Sequence, residues 1–426
     1  MESTSRKRAY LYTGLVGVVI IALIIVYFLV KGTVWEGHFF EWLNLVVRWM
    51  HITFGIAWIG ASFYFVFLEN ALNRRADLRD ELEGNLWAIH GGGFYYLEKY
   101  KLAPKKIPED LHWFKYEAYF TWLTGFSLLF IVYYFHARSF LIDPGVMDLQ
   151  PLAATAIGVG SLVVGWIIYD LLCKKLAGQG MLLPLIGFII AVGFAWFYAH
   201  VFSGRAAYIH FGALLGTLMA ANVFFVIIPS QKDVVRAAKR GELPDAHKAR
   251  AAAMRSRHNN YLTLPVLFVM ISNHFPGTFG NHYQWLVLVA LSLASAGVKH
   301  YLNLKEEGRG SVWIMPVSIV LLLAVAVMTA PHPQKTLCKE QVSFLTVNTI
   351  VAKRCLPCHS SNPTNKMFTT APNGIKFEKP SQIINLKDRI FQRVVASKTM
   401  PFNNLTNMTQ KERDLIDCWI KQGAKP

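Results

Sequence analysis

The chain has 426 residues, of which 54% are hydrophobic and only 16% are charged, a composition too apolar for an ordinary soluble protein of this length. Its formal net charge of +17 is a common property of nucleic-acid-binding proteins, but most of the excess lies between apolar stretches, where membrane proteins carry positive charge. Composition therefore predicts a protein of the lipid bilayer and gives no support to a nucleic-acid partner.

Apolar stretches of about 20 residues, the length that crosses a bilayer as a helix, recur along the first two thirds of the chain. The sequence predicts nine membrane spans in a domain of residues 1–332, near 11–30, 43–68, 116–136, 152–172, 181–202, 207–228, 261–276, 283–304 and 311–330. The seventh of these stretches is short, so we expect it to be tilted, re-entrant or extended at its start.

Lysine and arginine are concentrated in the connections after the second and sixth predicted spans, at residues 74–115 and 232–257. The positive-inside rule places such connections in the cytoplasm. An odd number of spans with a cytoplasmic N-terminus then puts the C-terminal region on the opposite side of the membrane.

Cys355-Leu356-Pro357-Cys358-His359 is the most specific motif in the C-terminal region. Its C-x-x-C-H spacing is typical of covalent c-type haem: each thiol bonds one vinyl group, and the short link places His359 under the iron. A zinc site would need another Cys/His pair close by, and only Cys418 follows. We predict one covalent haem c, with Cys355, Cys358 and His359 as its binding residues.

A haem iron of this type needs a sixth ligand or an open position, and three methionines follow the motif. Met367 lies too close to His359 in sequence to cross the haem easily, and Met408 directly precedes a predicted helix start. Met400 precedes a proline, which favours an extended backbone suited to a loop that presents a thioether. We predict His359 and Met400 as the iron ligands.

The tail, residues 336–426, is predicted to be helical, with a helix leading into Cys355, a second near 383–396 and a third at 410–421. This size and order are typical of a small all-α, class I-like cytochrome c domain. The expected architecture is therefore all-α, a polytopic helix bundle followed by a cytochrome c domain. The tail is basic, which suits an acidic redox partner. One further expectation is a disulfide between Cys338 and Cys418.

Ionisable residues inside apolar spans are functional candidates. Two segments resemble each other, because Arg48 and His51 before Gly55 compare with Arg205 and His210 before Gly212. Histidine beside small residues suits a macrocycle lying against a helix, as in a haem b with one histidine from each of two helices. Alternatively, the histidines cap helices, bond neighbouring helices or line a cavity. The haem b candidates are His51, His210, His258 and His274.

Three membrane segments resemble the bacterial membrane-bound urate oxidases (urate hydroxylases), which carry a fused C-terminal cytochrome c. They are Arg48-Trp49-Met50-His51-Ile52 with Gly55, Trp58 and Gly60; Asn85-Leu86-Trp87-Ala88-Ile89-His90-Gly91-Gly92-Gly93-Phe94-Tyr95, read as a loop; and Trp122-Leu123-Thr124-Gly125. The resemblance covers essentially the whole chain and includes Cys355–His359 and Thr399-Met400-Pro401.

The resemblance implies oxidation of urate to 5-hydroxyisourate, with water as the oxygen source. Electrons would pass through haem c to a soluble or membrane cytochrome c or a terminal oxidase, and the protein would lie in a bacterial inner membrane with a periplasmic tail. For a planar anion, arginine offers bidentate hydrogen bonds and histidine a base. The candidate catalytic residues are Arg48, His51, Arg205 and His210. The alternative function is a membrane electron conduit that oxidises quinol or another small molecule.

Overall fold

The computed structural model describes residues 17–33, 35–75, 77–104, 106–330, 338, 340–365, 368 and 370–426. The described part is mostly helical. Its N-terminal helices are α1 (Gly17–Val30), α2 (Trp35–Asn70), α3 (Tyr116–Leu128), α4 (Ala137–Phe140), α5 (Pro151–Lys175), α6 (Leu182–Val201), α7 (Gly204–Ala221) and α8 (Ile228–Lys239). The remaining helices are α9 (Ala246–Ser272), α10 (Pro276–Phe279), α11 (Gln284–Glu306), α12 (Ile314–Met328), α13 (Phe344–Arg354), α14 (Pro380–Asn385), α15 (Lys387–Ile390) and α16 (Gln410–Lys421).

Three helices continue directly into π-helical turns, in which the backbone hydrogen bond reaches one residue further than in an α-helix. These turns follow α3 at Leu129–Tyr134, α7 at Asn222–Ile227 and α15 at Phe391–Ala396. Because π turns are frequent at functional sites, the first two draw attention to Tyr134 and Asn222.

Every predicted span coincides with a helix of the described part, and five helices are long and apolar enough to cross a membrane. They are Trp35–Asn70, Pro151–Lys175, Leu182–Val201, Gly204–Lys239 and Gln284–Glu306. Two further apolar helices, α1 and α12, are shorter, and residues 11–16 of the first predicted span lie outside the described residues. Side chains such as Val320 of α12, 64% exposed, fit contact with lipid.

The short seventh span is extended at its start, because α9 begins at Ala246 and runs unbroken to Ser272. The basic segment assigned to the connection after the sixth span is therefore largely helical, within α8 and the first half of α9. Asp245 begins α9 by accepting a hydrogen bond from the His247 backbone N–H at 2.8 Å, an ordinary N-cap contact.

One element departs from the all-α prediction. The segment interpreted as a loop around the three consecutive glycines is an antiparallel hairpin of β1 (Leu82–His90) and β2 (Gly93–Tyr100). Gly91 and Gly92 form its two-residue turn with φ of 58° and 80°, a conformation that favours glycine at both positions. The glycines therefore reverse the chain between two strands.

Contacts divide the chain into two compact units. The first consists of Met1–Val47, Thr336–Ile390 and Thr406–Pro426, and the second of Arg48–Lys335 and Phe391–Leu405. In the second unit the largely buried helix α7 packs on α5, α6 and α9. Glycines permit this close packing: a Cβ on Gly212 would lie 2.4 Å from Val269 of α9, and one on Gly165 would lie 2.3 Å from Leu214 of α7.

In the first unit, helix α13 leads directly into Cys355 and α16 closes the tail at the predicted residues. The helix expected near 383–396 is divided into α14, α15 and a π turn. The disulfide between Cys338 and Cys418 is present, which confirms that expectation. Met367 and the predicted linker at 331–335 lie outside the described residues.

Candidate functional site: buried polar clusters and the C-x-x-C-H motif

His210 lies at the centre of an aromatic cluster and is fully buried. Its Nδ1–H donates to the Ala206 carbonyl oxygen at 2.9 Å, and Tyr134 Oη donates to its Nε2 at 3.0 Å. Phe202 packs against the imidazole with ring centroids 4.6 Å apart. Both ring nitrogens are therefore engaged, and His210 holds the Tyr134 hydroxyl in place.

A glycine makes room for this pair. A Cβ on Gly158 of α5 would lie 2.8 Å from His210 Nε2 and 2.9 Å from Tyr134 Oη. One turn further along α5, Ser161 shares a 2.8 Å hydrogen bond with Tyr198 Oη. The glycine that borders His210 in space is therefore Gly158 of α5, whereas Gly212, close to His210 in sequence, packs on Val269.

His51 packs in the same way against Gly125 of α3, where a Cβ would lie 2.8 Å from its Cε1. Its Nδ1 lies 2.9 Å from the Thr121 carbonyl oxygen and 3.2 Å from Thr124 Oγ1. Because a carbonyl can only accept, Nδ1 carries the proton, which leaves the Nε2 lone pair to accept another. His51 therefore has the geometry of a base.

The two arginines of the repeated pattern, Arg48 and Arg205, lie within electrostatic range of each other. Arg48 precedes His51 by three residues on α2. The Arg205 guanidinium lies beside the packed rings of Phe140 and Phe402, 5.6 Å from each centroid. Its Nε donates to Asn273 Oδ1 at 2.9 Å. Two positive charges within electrostatic range of each other favour the approach of an anion.

One of the two aromatic rings beside Arg205, that of Phe402, comes from the Phe391–Leu405 segment, which belongs to the second unit. Phe402 packs on Phe140 with centroids 4.7 Å apart. The neighbouring Asn403 amide donates to the carbonyl oxygens of Ser139 and Ile142. These contacts fix the segment against α4 and the residues that follow it.

His258 belongs to a different cluster, named here the Arg255 cluster. It consists of Asp170 and Tyr169 of α5, Asn222 of the π turn after α7, and Arg255, His258 and Asn259 of α9. Arg255 is 2% exposed, although its sequence position suggested a cytoplasmic connection. Its guanidinium binds Asp170 Oδ1 at 2.7 Å and Asn222 Oδ1 at 3.1 Å, and lies 4.8 Å from the Tyr169 ring centroid.

The rest of the Arg255 cluster completes these contacts. Asn222 Nδ2 donates to Tyr169 Oη at 3.0 Å and to Asn259 Oδ1 at 2.9 Å. Tyr169 Oη lies 2.8 Å from His258 Nδ1. The network joins three helices and leaves its buried cation well paired, as a stable buried ion pair requires. This network was not predicted from the sequence, although Asn222, an asparagine within an apolar run, is the kind of residue that indicates a buried polar contact.

The histidines proposed for haem b lie in different surroundings. His51 and His210 contact the α3 segment at Gly125 and Tyr134, nine residues or about 13 Å apart along a helix. His258 bonds Tyr169, and His274 is exposed just after the end of α9. His210 would have to release Tyr134 to bind iron. Haem b ligation therefore stays a prediction.

The C-x-x-C-H motif follows α13 and has the properties that covalent haem requires. Cys355 and Cys358 are free thiols, while the other two tail cysteines are bonded to each other. His359 Nδ1 donates to the Ile375 carbonyl oxygen at 2.9 Å, which leaves the Nε2 lone pair as the one that could bind a metal. Burial lowers the pKa of His359, and the neutral imidazole is the form that binds iron. The residues fit a haem c.

Within the described residues, no group of three or more His, Cys, Asp or Glu side chains could hold a metal ion. An open groove of about 520 Å³ between α5 and α6 is lined by apolar side chains such as Ile157, Val164 and Phe197. It offers no charged group, so it suits a lipid chain better than a polar substrate.

These features define a predominantly helical protein with several helices that could cross a membrane and with polar clusters buried among them. A family model described as urate oxidase N-terminal matches residues 37–330, and the chain belongs to this family. The match supports an oxidoreductase of urate-related chemistry and confirms that part of the resemblance seen in the sequence. The tail lies outside the matched residues. No curated protein and no solved structure matches the chain.

Proposed function

We propose that this protein is a membrane-bound urate oxidase that hydroxylates urate to 5-hydroxyisourate and releases the electrons through its C-terminal haem c. Urate and one water yield 5-hydroxyisourate, two protons and two electrons, so water supplies the new oxygen. The family match over residues 37–330, in one chain with the C-x-x-C-H motif, is the observation that carries this proposal.

The proposed catalytic residues divide into binding and proton-transfer roles. Arg48, with Arg205 close by, attracts the urate anion. His51 accepts a proton at Nε2 as water adds to the ring, because Nδ1 is already committed to the Thr121 carbonyl oxygen. His210 acts through Tyr134, whose hydroxyl it positions, and is therefore a positioning residue.

The haem c fits Cys355, Cys358 and His359, with Met400 proposed as the sixth iron ligand. When bound, it would accept electrons one at a time and pass them to a soluble or membrane cytochrome c or a terminal oxidase. We propose a bacterial inner membrane location with a cytoplasmic N-terminus and a periplasmic tail. The basic tail surface then faces the compartment that holds an acidic redox partner.

The decisive experiment adds urate anaerobically to the purified, oxidised full-length protein. We expect reduction of the c-type haem spectrum and formation of 5-hydroxyisourate, with ¹⁸O incorporated from labelled water. His51→Gln should lower the rate roughly 10²–10⁴-fold, the range for loss of a general base. His200→Gln provides the matched control, because His200 is an exposed histidine of α6 bonded only to its own helix. An unchanged oxidised spectrum in the wild-type protein would refute the proposal.

A further inference from the structure

Lys299 is a buried lysine of α11, a helix that is long and apolar enough to cross a membrane. It is 1% exposed, and its ammonium lies 3.9 Å from the centroid of the Phe63 ring. Within the described part of the chain, that ammonium makes no ion pair and no hydrogen bond. Glu306, seven residues further along α11, is exposed and accepts a hydrogen bond from Asn70. A buried charge without a partner is costly, so an anion at this position would be stabilising.

Two buried asparagines on α11 and α9, Asn303 and Asn260, each leave one amide atom without a hydrogen bond among the described residues. Asn303 follows Lys299 by four residues and so shares its face of α11. Its Nδ2 donates to Asn260 Oδ1 of α9 at 2.9 Å. Asn303 Oδ1 and Asn260 Nδ2 are buried and have no hydrogen-bond partner among the described residues. The asparagines are 7% and 1% exposed, so these orphaned atoms face the protein interior.

The contrast with the Arg255 cluster is informative because α9 contributes adjacent residues, Asn259 and Asn260, to the two groups of polar side chains. Arg255 binds a carboxylate and an amide oxygen, and Asn259 uses its amide on Asn222 and Met219. Asn260, the next residue, leaves its donor unused. Arg255 and Asn259 are therefore hydrogen-bonded, whereas the Asn260–Asn303 pair leaves one donor and one acceptor unsatisfied on the face of α11 that carries Lys299.

We propose that Lys299, Asn303 and Asn260 form a second binding site for a planar ureide anion, the chemical class of urate. The anionic oxygen would pair with Lys299, a ring carbonyl would accept from Asn260 Nδ2, and the adjacent ring N–H would donate to Asn303 Oδ1. Chloride would satisfy the cation but could not donate to Asn303, so the unused acceptor favours an anion that carries an N–H group.

This site is distinct from the proposed catalytic residues. Phe63 follows His51 by twelve residues on α2, about 18 Å along the helix axis, so one urate cannot contact both. The choice of ligand rests on the proposed function. A second site at this end of the bundle would bind substrate before the reaction and raise its local concentration inside the protein.

Equilibrium binding of radiolabelled urate to the full-length, chemically reduced protein tests the inference without turnover. We expect two sites in the wild-type protein. Lys299→Met should weaken one of them roughly 10- to 100-fold, the cost of losing a charge-assisted hydrogen bond, and leave the other intact. Lys305→Met is the matched control, because Lys305 is an exposed lysine of the same helix. In turnover assays, Lys299→Met should raise KM and leave kcat unchanged.

Asn303→Leu provides a second variant in case Lys299→Met does not fold. Wild-type protein should discriminate between urate and the N-methylated urate that lacks the N–H bound by Asn303. Asn303→Leu should lose that discrimination at the second site, an effect that general destabilisation would not produce. Unchanged binding and discrimination in both variants would overturn the inference and leave the proposed function intact. Binding of chloride in place of urate would also overturn it. Failure of wild-type protein to oxidise urate, with two-site binding retained, would refute only the proposed function.

Discussion

The positions of individual side chains in this protein are set by contacts that no sequence motif indicates. The sequence singled out His51 and His210 because ionisable groups are rare in apolar spans. The structure adds that each imidazole fills the space beside a glycine of another helix, Gly125 and Gly158. The position of these side chains is therefore set by residues more than 50 positions away in the chain, which periodicity and local motifs cannot reveal.

The first prediction concerns Gly158. Gly158→Ala would bring a methyl group to 2.8 Å from His210 Nε2 and should separate His210 from Tyr134. We expect a loss of about 1–3 kcal/mol in stability, the usual cost of overpacking, together with reduced urate oxidation. Thermal unfolding and turnover in detergent measure the two effects.

Gly160→Ala on the same helix is the matched control for that change. A Cβ there meets nothing within 4 Å, so it should be neutral or slightly stabilising. Equal behaviour of the two alanine variants would contradict the assigned packing of His210.

The second prediction concerns the buried ion pair of Arg255 with Asp170. Arg255→Met should destabilise the protein by about 1–3 kcal/mol, because the buried Asn222 oxygen loses its donor while Asp170 keeps its ion pair with Lys174. Arg240→Met is the control, since Arg240 is exposed and pairs only with Glu242. Comparable thermal unfolding midpoints in the two variants would argue against the buried network.

Helix α16 was predicted from the sequence with both of its ends, and the physical reason is local. Helix α16 begins at Gln410 because Thr409 and Glu412 form a reciprocal capping box, a pattern that four residues specify alone. Helix α9 was harder to predict, since its first half is charged and only tertiary contacts bury Arg255. The hairpin was missed because consecutive glycines indicate a turn whether helices or strands flank them.

The third prediction follows from the same capping box. Burial would raise the pKa of the Glu412 carboxyl, but the Thr409 backbone N–H and the Arg354 guanidinium hold its pKa below the usual value. The folded pKa is lower than the unfolded one, so the contribution is complete above the unfolded value of about 4.3. It disappears as the pH falls through the folded pKa.

Glu412→Gln should therefore destabilise the tail at pH 7, by about 1–3 kcal/mol, and much less in acid. Tail unfolding, followed by hydrogen exchange of the α16 backbone amides in the full-length protein across the acid range, measures this difference. Asp414→Asn on the same helix is the control. A destabilisation by Glu412→Gln that stays constant down to low pH would contradict the ion pair as its cause.

At the scale of the whole molecule, apolar length and charge distribution predicted where the helices lie. They predicted two domains, 1–332 and 336–426, but neither the buried clusters nor the assignment of Met1–Val47 to the first unit and Phe391–Leu405 to the second. The cation inside the eighth predicted span, Lys299, was as visible in the sequence as His51, but only the structure shows it without a partner. Whether a buried amide is satisfied depends on side-chain geometry across helices, so Asn260 and Asn303 were beyond sequence reasoning.

The fourth prediction tests the proposed topology. A reporter enzyme that needs disulfides for activity, fused after Pro426 in the full-length chain, should be active because the tail is proposed to be periplasmic. A fluorescent reporter that matures only in the cytoplasm should stay dark at the same position. The reverse pattern would place the tail in the cytoplasm and would conflict with haem attachment there.

The packing of Phe402 against Phe140 and beside Arg205 limits which fragments of the chain can be studied alone. Residues Phe391–Leu405 belong with the helices of the second unit, so a recombinant fragment that starts beyond α12 would carry Phe402 without its neighbours. The complementary fragment, ending at α12, would lack one of the two aromatic rings next to the Arg205 guanidinium. Neither fragment would keep all the native contacts, so biophysical experiments should start with the full-length protein.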